Sequence, residues 1–409
     1  MNTVEATPQI RPDVRAETGF VPRLESLRGF AALMVAGWHS FAVLDLSGWQ
    51  GQGRDFLRFF FNGFAGVTVF FVLSGVVLGG SLARSRGPAG LRYLTFAIRR
   101  VLRIWPAYAV TGLFIAVMIR WVDAPMAYPS GVNAWFAGHW TQPVTAGLVL
   151  RHVFFLNQDF NPPSWTLRAE MLCSLALPAV YFVSLKLRGF GRGLILGVLM
   201  LLSGFDVFAG LHGAASWSLS LLCTWMFMFY LGLLLPEAGR RVMGAVKHSR
   251  GAWLIAPIAW LCLLASGLGA WRNVAAGVAA AVFVSALLYG PEWFAFKALD
   301  WPVARFYGRI SYSFYLCHMI SLFLIAKVAL RVLPISQMMH FGLIMGAAFV
   351  AISTALATLL AWASNCWVER PAIALGRKIC ERINPKSETT ANKSEIRNPE
   401  SEVRKIVQT

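Results

Sequence analysis

The sequence predicts an all-α polytopic membrane helix bundle of about ten transmembrane helices, with both termini in the cytoplasm. Three observations predict it. Of the 409 residues, 57% are hydrophobic and only 14% are charged. Apolar runs long enough to span a bilayer recur along the chain, and basic residues cluster between alternate runs. A soluble domain has about 25% charged residues, so this chain lacks the charged surface that a soluble fold of this length requires.

Ten apolar runs approach the length of about 20 residues that a helical span needs. They lie at approximately 27–46, 60–80, 100–120, 164–186, 193–210, 217–235, 252–269, 273–290, 309–331 and 341–364. The region 121–163 contains Trp135, Trp140 and the apolar stretch 144–156, a pattern more typical of a re-entrant or interfacial segment than of a span.

The basic residues give these spans an orientation. Arginine and lysine precede the first run and follow the second, fourth, sixth, eighth and tenth, whereas the other loops hold at most one or two each. Cytoplasmic loops carry this excess, so the alternation predicts cytoplasmic N and C termini. It also explains the net charge of +18 without a nucleic-acid partner.

The ends of the chain differ from its membrane domain. We predict a polar cytoplasmic tail over 1–22, which lacks the apolar core of a cleavable signal peptide, and a membrane domain over 23–378. Residues 379–409 are predicted to be a disordered cytoplasmic tail, because 384–409 have few apolar side chains to bury.

The six cysteines have no metal-ligand spacing, so we predict buried thiols and no metal site. Asp206 and His212 fit an outer loop.

Charged residues inside spans are costly and are therefore candidates for function. Arg28 and His39 are eleven residues apart in the first span, so they share a helix face within about 20° and are separated by about 16 Å along the helix axis. This places Arg28 near the cytoplasmic end and His39 near or beyond the middle of the membrane. A snorkelling arginine and a structurally satisfied histidine fit the spacing equally well.

Two further segments lie in the second and third spans. Ser74-Gly75 is typical of close helix packing. At the start of the third span, Arg100 and Arg103 follow Arg99 and share a helix face. Guanidinium groups of this kind bind phosphate oxygens, so a phosphorylated cytosolic ligand is one interpretation and a topology signal is the other.

The fourth and ninth spans also carry polar groups. Glu170 falls about two turns into the membrane, where an acid needs a partner or a function, and Arg168 points to a different face. Tyr312 and the neighbouring serines are able to line a polar cavity. His318 fits either a structural or a functional role. The side chain of the adjacent Cys317 points in a different direction on a helix.

Taken in order, these motifs resemble the acyltransferase-3 family of membrane O-acyltransferases. The motifs are Arg-x10-His, FFVLSG, RRxxRIxPxY, PPSWTLxxE and ISYSFYLxH, and the resemblance covers approximately residues 22–375. It implies a catalytic role for His39 with Arg28, and acyl-CoA handling by Arg100 and Arg103. Ser74, Trp165 and Glu170 match further characteristic positions, while Thr166 stands where the family usually has serine.

The resemblance implies an enzyme of the bacterial inner membrane, in a stand-alone form without a fused esterase-like domain. It would move an acetyl group from acetyl-CoA, used as a substrate and not as a bound cofactor, to a hydroxyl of a surface polysaccharide such as lipopolysaccharide or exopolysaccharide, or to a lipid-linked precursor. We also expect substrate or donor binding by Arg99, Tyr312 and His318. A transporter or flippase of a lipid-linked sugar also needs intramembrane His, Glu and Arg and remains the alternative. Nothing in the pattern indicates an oligomeric state.

Overall fold

The computed structural model describes residues 21–45, 59–122, 128–140, 143–187, 189–205, 214–266 and 271–384. These residues are predominantly helical, and within them the only extended pairings are isolated bridges. The predictions for residues 1–20 and 385–409, and for Asp206 and His212, concern positions outside the described residues.

Helices occupy all ten predicted positions, and short helices fill the connections. In chain order they are α1 (Pro22–Phe41), α2 (Gly63–Arg84), α3 (Ala89–Val122), α4 (Ala134–Ala137), α5 (Ala146–Val153), α6 (Trp165–Lys186), α7 (Gly189–Gly204), α8 (Ala214–Val246), α9 (Ile255–Ala265), α10 (Arg272–Tyr289), α11 (Pro302–Val332), α12 (Ile335–His340), α13 (Gly342–Ser364) and α14 (Arg370–Ile383). A π-helical turn, Asn365–Glu369, joins α13 to α14.

Seven helical units of the described residues are long and apolar enough to cross a membrane. These are α2, α3, α6, α8, α10, α11 and the continuous pair α13–α14. α1 has 20 residues but carries Arg23, Glu25 and Arg28 in its first two turns. α7 and α9 have 16 and 11 residues, and 11 residues cover about 17 Å, little more than half of the hydrocarbon thickness. The all-α membrane bundle is confirmed, while the count of ten spans and their orientation stay predictions.

α1 and α11 cross at two glycines and bring the helix backbones into contact. A Cβ on Gly29 would lie 2.5 Å from the backbone nitrogen of Gly308, and a Cβ on Gly308 would lie 2.6 Å from the carbonyl oxygen of Glu25. His39 and His318 each follow their glycine by ten residues. The crossing therefore sets the register that places the two histidines at the same height.

A second close crossing joins α2 to α8. A Cβ on Gly75 would lie 2.1 Å from the carbonyl oxygen of Phe229, and one on Gly232 would lie 2.1 Å from that of Val72. Small residues at both positions allow this backbone contact. The packing role predicted for Ser74-Gly75 is confirmed, and the crossing leaves the Ser74 side chain on the face that meets α6.

The described part of the 121–163 region forms a cap and not a span. α4 and α5 have only four and eight residues. Phe136 and Trp140 are buried, and the Trp140 ring centroid lies 4.4 Å from that of Phe323 on α11. This cap covers the end of the bundle at which α1 and α11 carry their histidines.

α14 packs on α3 at the opposite end. The buried Cys380 thiol donates a hydrogen bond to the carbonyl oxygen of Thr95, at 3.3 Å. The helix ends at Ile383, five residues after the predicted domain boundary at 378. The boundary at 378 stays a prediction.

Candidate active site

Two histidines from different helices meet beneath the cap. Nδ1 of His39 lies 3.1 Å from Nε2 of His318, and the two rings are 20° from parallel with centroids 5.2 Å apart. On its other side, Nδ1 of His318 lies 2.6 Å from the carbonyl oxygen of Tyr315. His318 is only 2% exposed, whereas His39 is half-buried. The predicted catalytic residue therefore has a second histidine as its partner.

The hydrogen bonds assign the protons on this pair. A backbone carbonyl only accepts, so Nδ1 of His318 carries the proton that it donates to Tyr315. In a neutral imidazole the other nitrogen is then an acceptor, which makes Nδ1 of His39 the donor to His318. Nε2 of His39 is left with its lone pair. A histidine held in one tautomer by a partner on its far nitrogen has the arrangement of a general base.

The cap contributes an aromatic contact to the same histidine. Trp135 of α4 stacks on His39 with ring centroids 5.2 Å apart and planes 9° from parallel. The imidazole is thus stacked on Trp135 and hydrogen-bonded to His318, and both contacts hold it in position. Trp135 is 39% exposed, so this wall of the site lies at the surface of the bundle end.

Glu170 is paired with a buried arginine. Arg100 of α3 forms an ion pair with Oε1 of Glu170 through Nη2, and its Nε donates to Oγ of Ser174 at 2.9 Å. Ser74 donates to the same carboxylate oxygen at 3.1 Å. Arg168 points elsewhere, with its guanidinium over the Trp217 ring. The partner that an acid at this depth requires is therefore Arg100, which is only 7% exposed.

A cavity opens beside this ion pair and encloses about 340 Å³, including the space at its mouth. Its polar lining comes from Arg28, Thr166, Glu170, Tyr312 and Tyr315, and its apolar lining from Val67, Phe70, Phe71 and Leu167. Three hydroxyls of the wall are fixed. Tyr312 donates to the carbonyl oxygen of Ile104 at 2.6 Å, and the hydroxyls of Thr166 and Tyr315 lie 2.8 Å apart.

The charge at this cavity is predominantly positive. Arg28 is close enough to Arg100, Arg103 and Glu170 to interact with each electrostatically. Among the described residues the Arg28 guanidinium forms no hydrogen bond or ion pair, although it lines the cavity. Arg103 is half-buried at the same end. Arg28 also interacts with Glu369, and Glu25 interacts with Arg28 and Arg103, so these carboxylates offset part of the positive charge. Arg28, which lines the cavity, is the group placed to meet an anionic ligand.

Tyr315 connects the two halves of the site. Its ring lines the cavity that contains Arg28, and its carbonyl oxygen accepts the hydrogen bond from His318. Tyr312, Tyr315 and His318 follow one another at intervals of three residues, which places them on one face of α11. That spacing is a signal that sequence reasoning missed for Tyr315.

The remaining predicted residues lie around this centre. Trp165 packs on Trp225, with ring centroids 5.4 Å apart, and is not part of the cavity lining. Arg99 is exposed on α3, next to the α14 contact. In the described part of the chain, no three His, Cys, Asp or Glu side chains are grouped as metal ligands would be. The binding roles of Arg99, Arg100 and Trp165 stay predictions.

An oriented histidine and a cationic cavity within a membrane helix bundle define a class of protein, the membrane-embedded transferases. The acyltransferase-3 family model, described as an acyltransferase domain, matches residues 21–365, and the chain belongs to this family. The resemblance based on the ordered motifs is therefore confirmed, and the protein is a multi-pass membrane acyltransferase. Comparison with curated proteins and with solved structures gives no significant match.

Proposed function

We propose that this acyltransferase moves an acetyl group from cytosolic acetyl-CoA to a hydroxyl of a surface polysaccharide, or of its lipid-linked precursor, at the bacterial inner membrane. The observation that carries the proposal is the hydrogen-bond chain from His39 through His318 to the Tyr315 carbonyl. It supports a base at Nε2 of His39, which is the group that a hydroxyl acceptor needs for attack on a thioester.

The proposed chemistry is a balanced acyl transfer. Nε2 of His39 takes the proton of the acceptor hydroxyl while the hydroxyl oxygen attacks the thioester carbonyl carbon. The carbon–sulfur bond then breaks, and His39 returns the proton to the departing thiolate, which leaves as coenzyme A. Arg28 supports the donor end of the site, about 16 Å along α1 from His39, a role supported by its guanidinium lining the cavity with no hydrogen bond or ion pair among the described residues. A transient acetyl group on His39 is the two-step version of the same transfer.

The donor-binding role is proposed for the cationic end. The phosphates of acetyl-CoA are anionic, and Arg28, Arg100 and Arg103 lie close enough together to interact electrostatically. Arg103 is the group proposed to meet phosphate directly, because Arg100 is already paired with Glu170. The Arg100–Glu170 pair, held by Ser74, is proposed to fix the wall of the donor cavity beside Tyr312.

The experiment that tests this function uses membranes containing the protein and acetyl-CoA labelled in the acetyl group. We expect label in the polysaccharide with the natural protein and none with His39→Ala at equal membrane abundance. Retained acetylation in the variant would contradict the role of His39. Movement of glycan across the membrane without incorporation of label would favour the transporter alternative.

A matched pair of variants tests donor binding. Arg103→Lys keeps the charge but loses the planar fork that binds phosphate oxygens, so we expect a higher KM for acetyl-CoA. Arg240→Lys is the control, because Arg240 is exposed near the C-terminal end of α8 and its described contact is with the Tyr289 ring. Equal effects of the two substitutions would mean that Arg103 acts only as a topology signal.

A further inference from the structure

A second cavity lies in the cap, away from the arginines. The space between its walls is about 370 Å³, including the open mouth, and it is lined by His139, Trp140, Asp159 and Phe160, together with Ile119, Gly138 and Leu148. Because this space is open at its mouth, one ring of a longer glycan is able to enter while the rest of the chain stays outside.

The polar groups of this cavity are available for a ligand. Nε2 of His139 is buried and has no hydrogen-bond partner among the described residues. Asp159 is exposed at the cavity and likewise forms no hydrogen bond or ion pair within the described part of the chain. A carboxylate accepts hydrogen bonds from two hydroxyls at once, and an imidazole nitrogen binds a third.

The apolar walls are rigid aromatic rings. Nε1 of Trp140 donates to the carbonyl oxygen of Phe160 at 3.0 Å, which fixes the indole plane. Trp140 also has a φ of 60°, an uncommon conformation for a bulky residue and one that often marks a functional position. Trp140 is 8% exposed and Phe160 is 2% exposed, so the two rings form a rigid apolar wall of the cavity.

The cavity is one aromatic side chain away from the candidate base. The Trp135 ring stacks on His39, and its edge meets the His139 ring with centroids 4.8 Å apart.

The charges at the two ends of the site are opposite. The Arg28 cavity is cationic, whereas the charged side chain lining the His139 cavity within the described residues is the carboxylate of Asp159. An anionic ligand is repelled by that carboxylate and an uncharged one is not.

We propose that the cavity lined by His139, Trp140 and Asp159 is the acceptor subsite and binds an uncharged pyranose ring of the glycan. This inference rests on the proposed function and names the chemical class of its acceptor. Asp159 and His139 bind hydroxyls of the ring, and Trp140 and Phe160 pack against its apolar face. The separation of charge keeps the anionic donor and the uncharged acceptor at different ends of the site.

A direct binding measurement tests the subsite without requiring acetyl transfer. The full-length protein in lipid nanodiscs is mixed with millimolar methyl glucoside, and saturation transfer from protein to sugar protons is recorded by NMR. We expect a signal that Asp159→Asn and His139→Gln each reduce at least fivefold, and a much weaker signal for glucuronate at the same concentration. His340→Gln is the control, since His340 is exposed near the same end, and it should leave the signal unchanged.

Kinetics provide the second measurement. Asp159→Asn and His139→Gln should raise the KM for acceptor at least tenfold while the KM for acetyl-CoA stays within twofold. Absence of methyl glucoside binding to the natural protein, or full binding by both variants, would overturn the proposal. A natural protein that binds the sugar but transfers no label would instead contradict the proposed function and leave the sugar site standing.

Discussion

Substitution of His318 tests whether the second histidine orients the first. His318→Phe removes the acceptor of the 3.1 Å hydrogen bond from Nδ1 of His39 and leaves that N–H unpaired next to a side-chain position that is 2% exposed. An unpaired buried donor costs about 1–3 kcal/mol. Because about 1.4 kcal/mol corresponds to a tenfold change in rate, we expect kcat for label transfer to fall about 5- to 150-fold. The assay is the initial rate of acetyl transfer at saturating acetyl-CoA.

Two further variants show whether the effect comes from the hydrogen bond to His39. His318→Gln provides an amide oxygen that can accept from His39, so it should lose less activity than His318→Phe. Ser321→Ala, one turn further along α11, removes a buried hydroxyl that bonds only to the Cys317 carbonyl among the described residues and should remain within twofold of the natural rate. A His318→Phe protein with the natural kcat, or one in which only the KM for donor changes, would refute the positioning role.

Three further predictions concern stability. Arg100→Met leaves the Glu170 carboxylate buried without its ion pair, so thermal unfolding in detergent should show a loss of about 3–5 kcal/mol, partly recovered when Glu170→Gln is added; no recovery would mean that the pair is not the cause. Gly75→Ala places a methyl group 2.1 Å from a backbone carbonyl oxygen of α8 and should greatly lower the yield of folded protein, whereas Gly197→Ala, which meets nothing within 4 Å, should not. Burial lowers the pKa of His152 in the cap to about 4, below the value of about 6.5 in an unfolded chain. The unfolded state therefore binds more protons, and stability should fall between pH 6.5 and 4 by up to about 3 kcal/mol; His152→Phe should remove this dependence, and an unchanged slope would contradict the assignment.

Hydropathy predicted the positions of ten helices but not their lengths. α3 begins at Ala89, eleven residues before the predicted run, and α8 continues to Val246, eleven residues after its run. These extensions carry Arg and other polar residues that lie beyond the apolar layer, so an apolar pattern contains no signal for them. α1 begins early for the same reason, with Arg23, Glu25 and Arg28 in its first turns.

The candidate site was predicted residue by residue but not pair by pair. Helical spacing and the cost of intramembrane charge indicated His39, Arg28 and Glu170. Their partners come from other helices: Arg100 is 70 residues from Glu170, and His318 is 279 residues from His39. Such contacts depend on which helices are neighbours in the bundle, and in this chain that order follows from glycine crossings that one-dimensional patterns do not reveal.

The contacts made by the cap could not be predicted from the sequence either. The region 121–163 was expected to lie at the interface, and its described part has short helices only. Nothing in its composition indicated that Trp135 would stack on His39 or that His139 and Asp159 would share a cavity. These placements follow from packing against α3 and α11.

We predict that His39 transfers the acetyl group from acetyl-CoA on the cytoplasmic face to an acceptor on the opposite face of the membrane, and sealed membrane vesicles test this most directly. Labelled acetyl-CoA is supplied only on the cytoplasmic face, and the acceptor glycan is present only on the opposite face. We predict that label appears on the glycan with the natural protein and not with His39→Ala. Label that appears only when donor and acceptor are on the same face, or that persists in His39→Ala, would contradict the account.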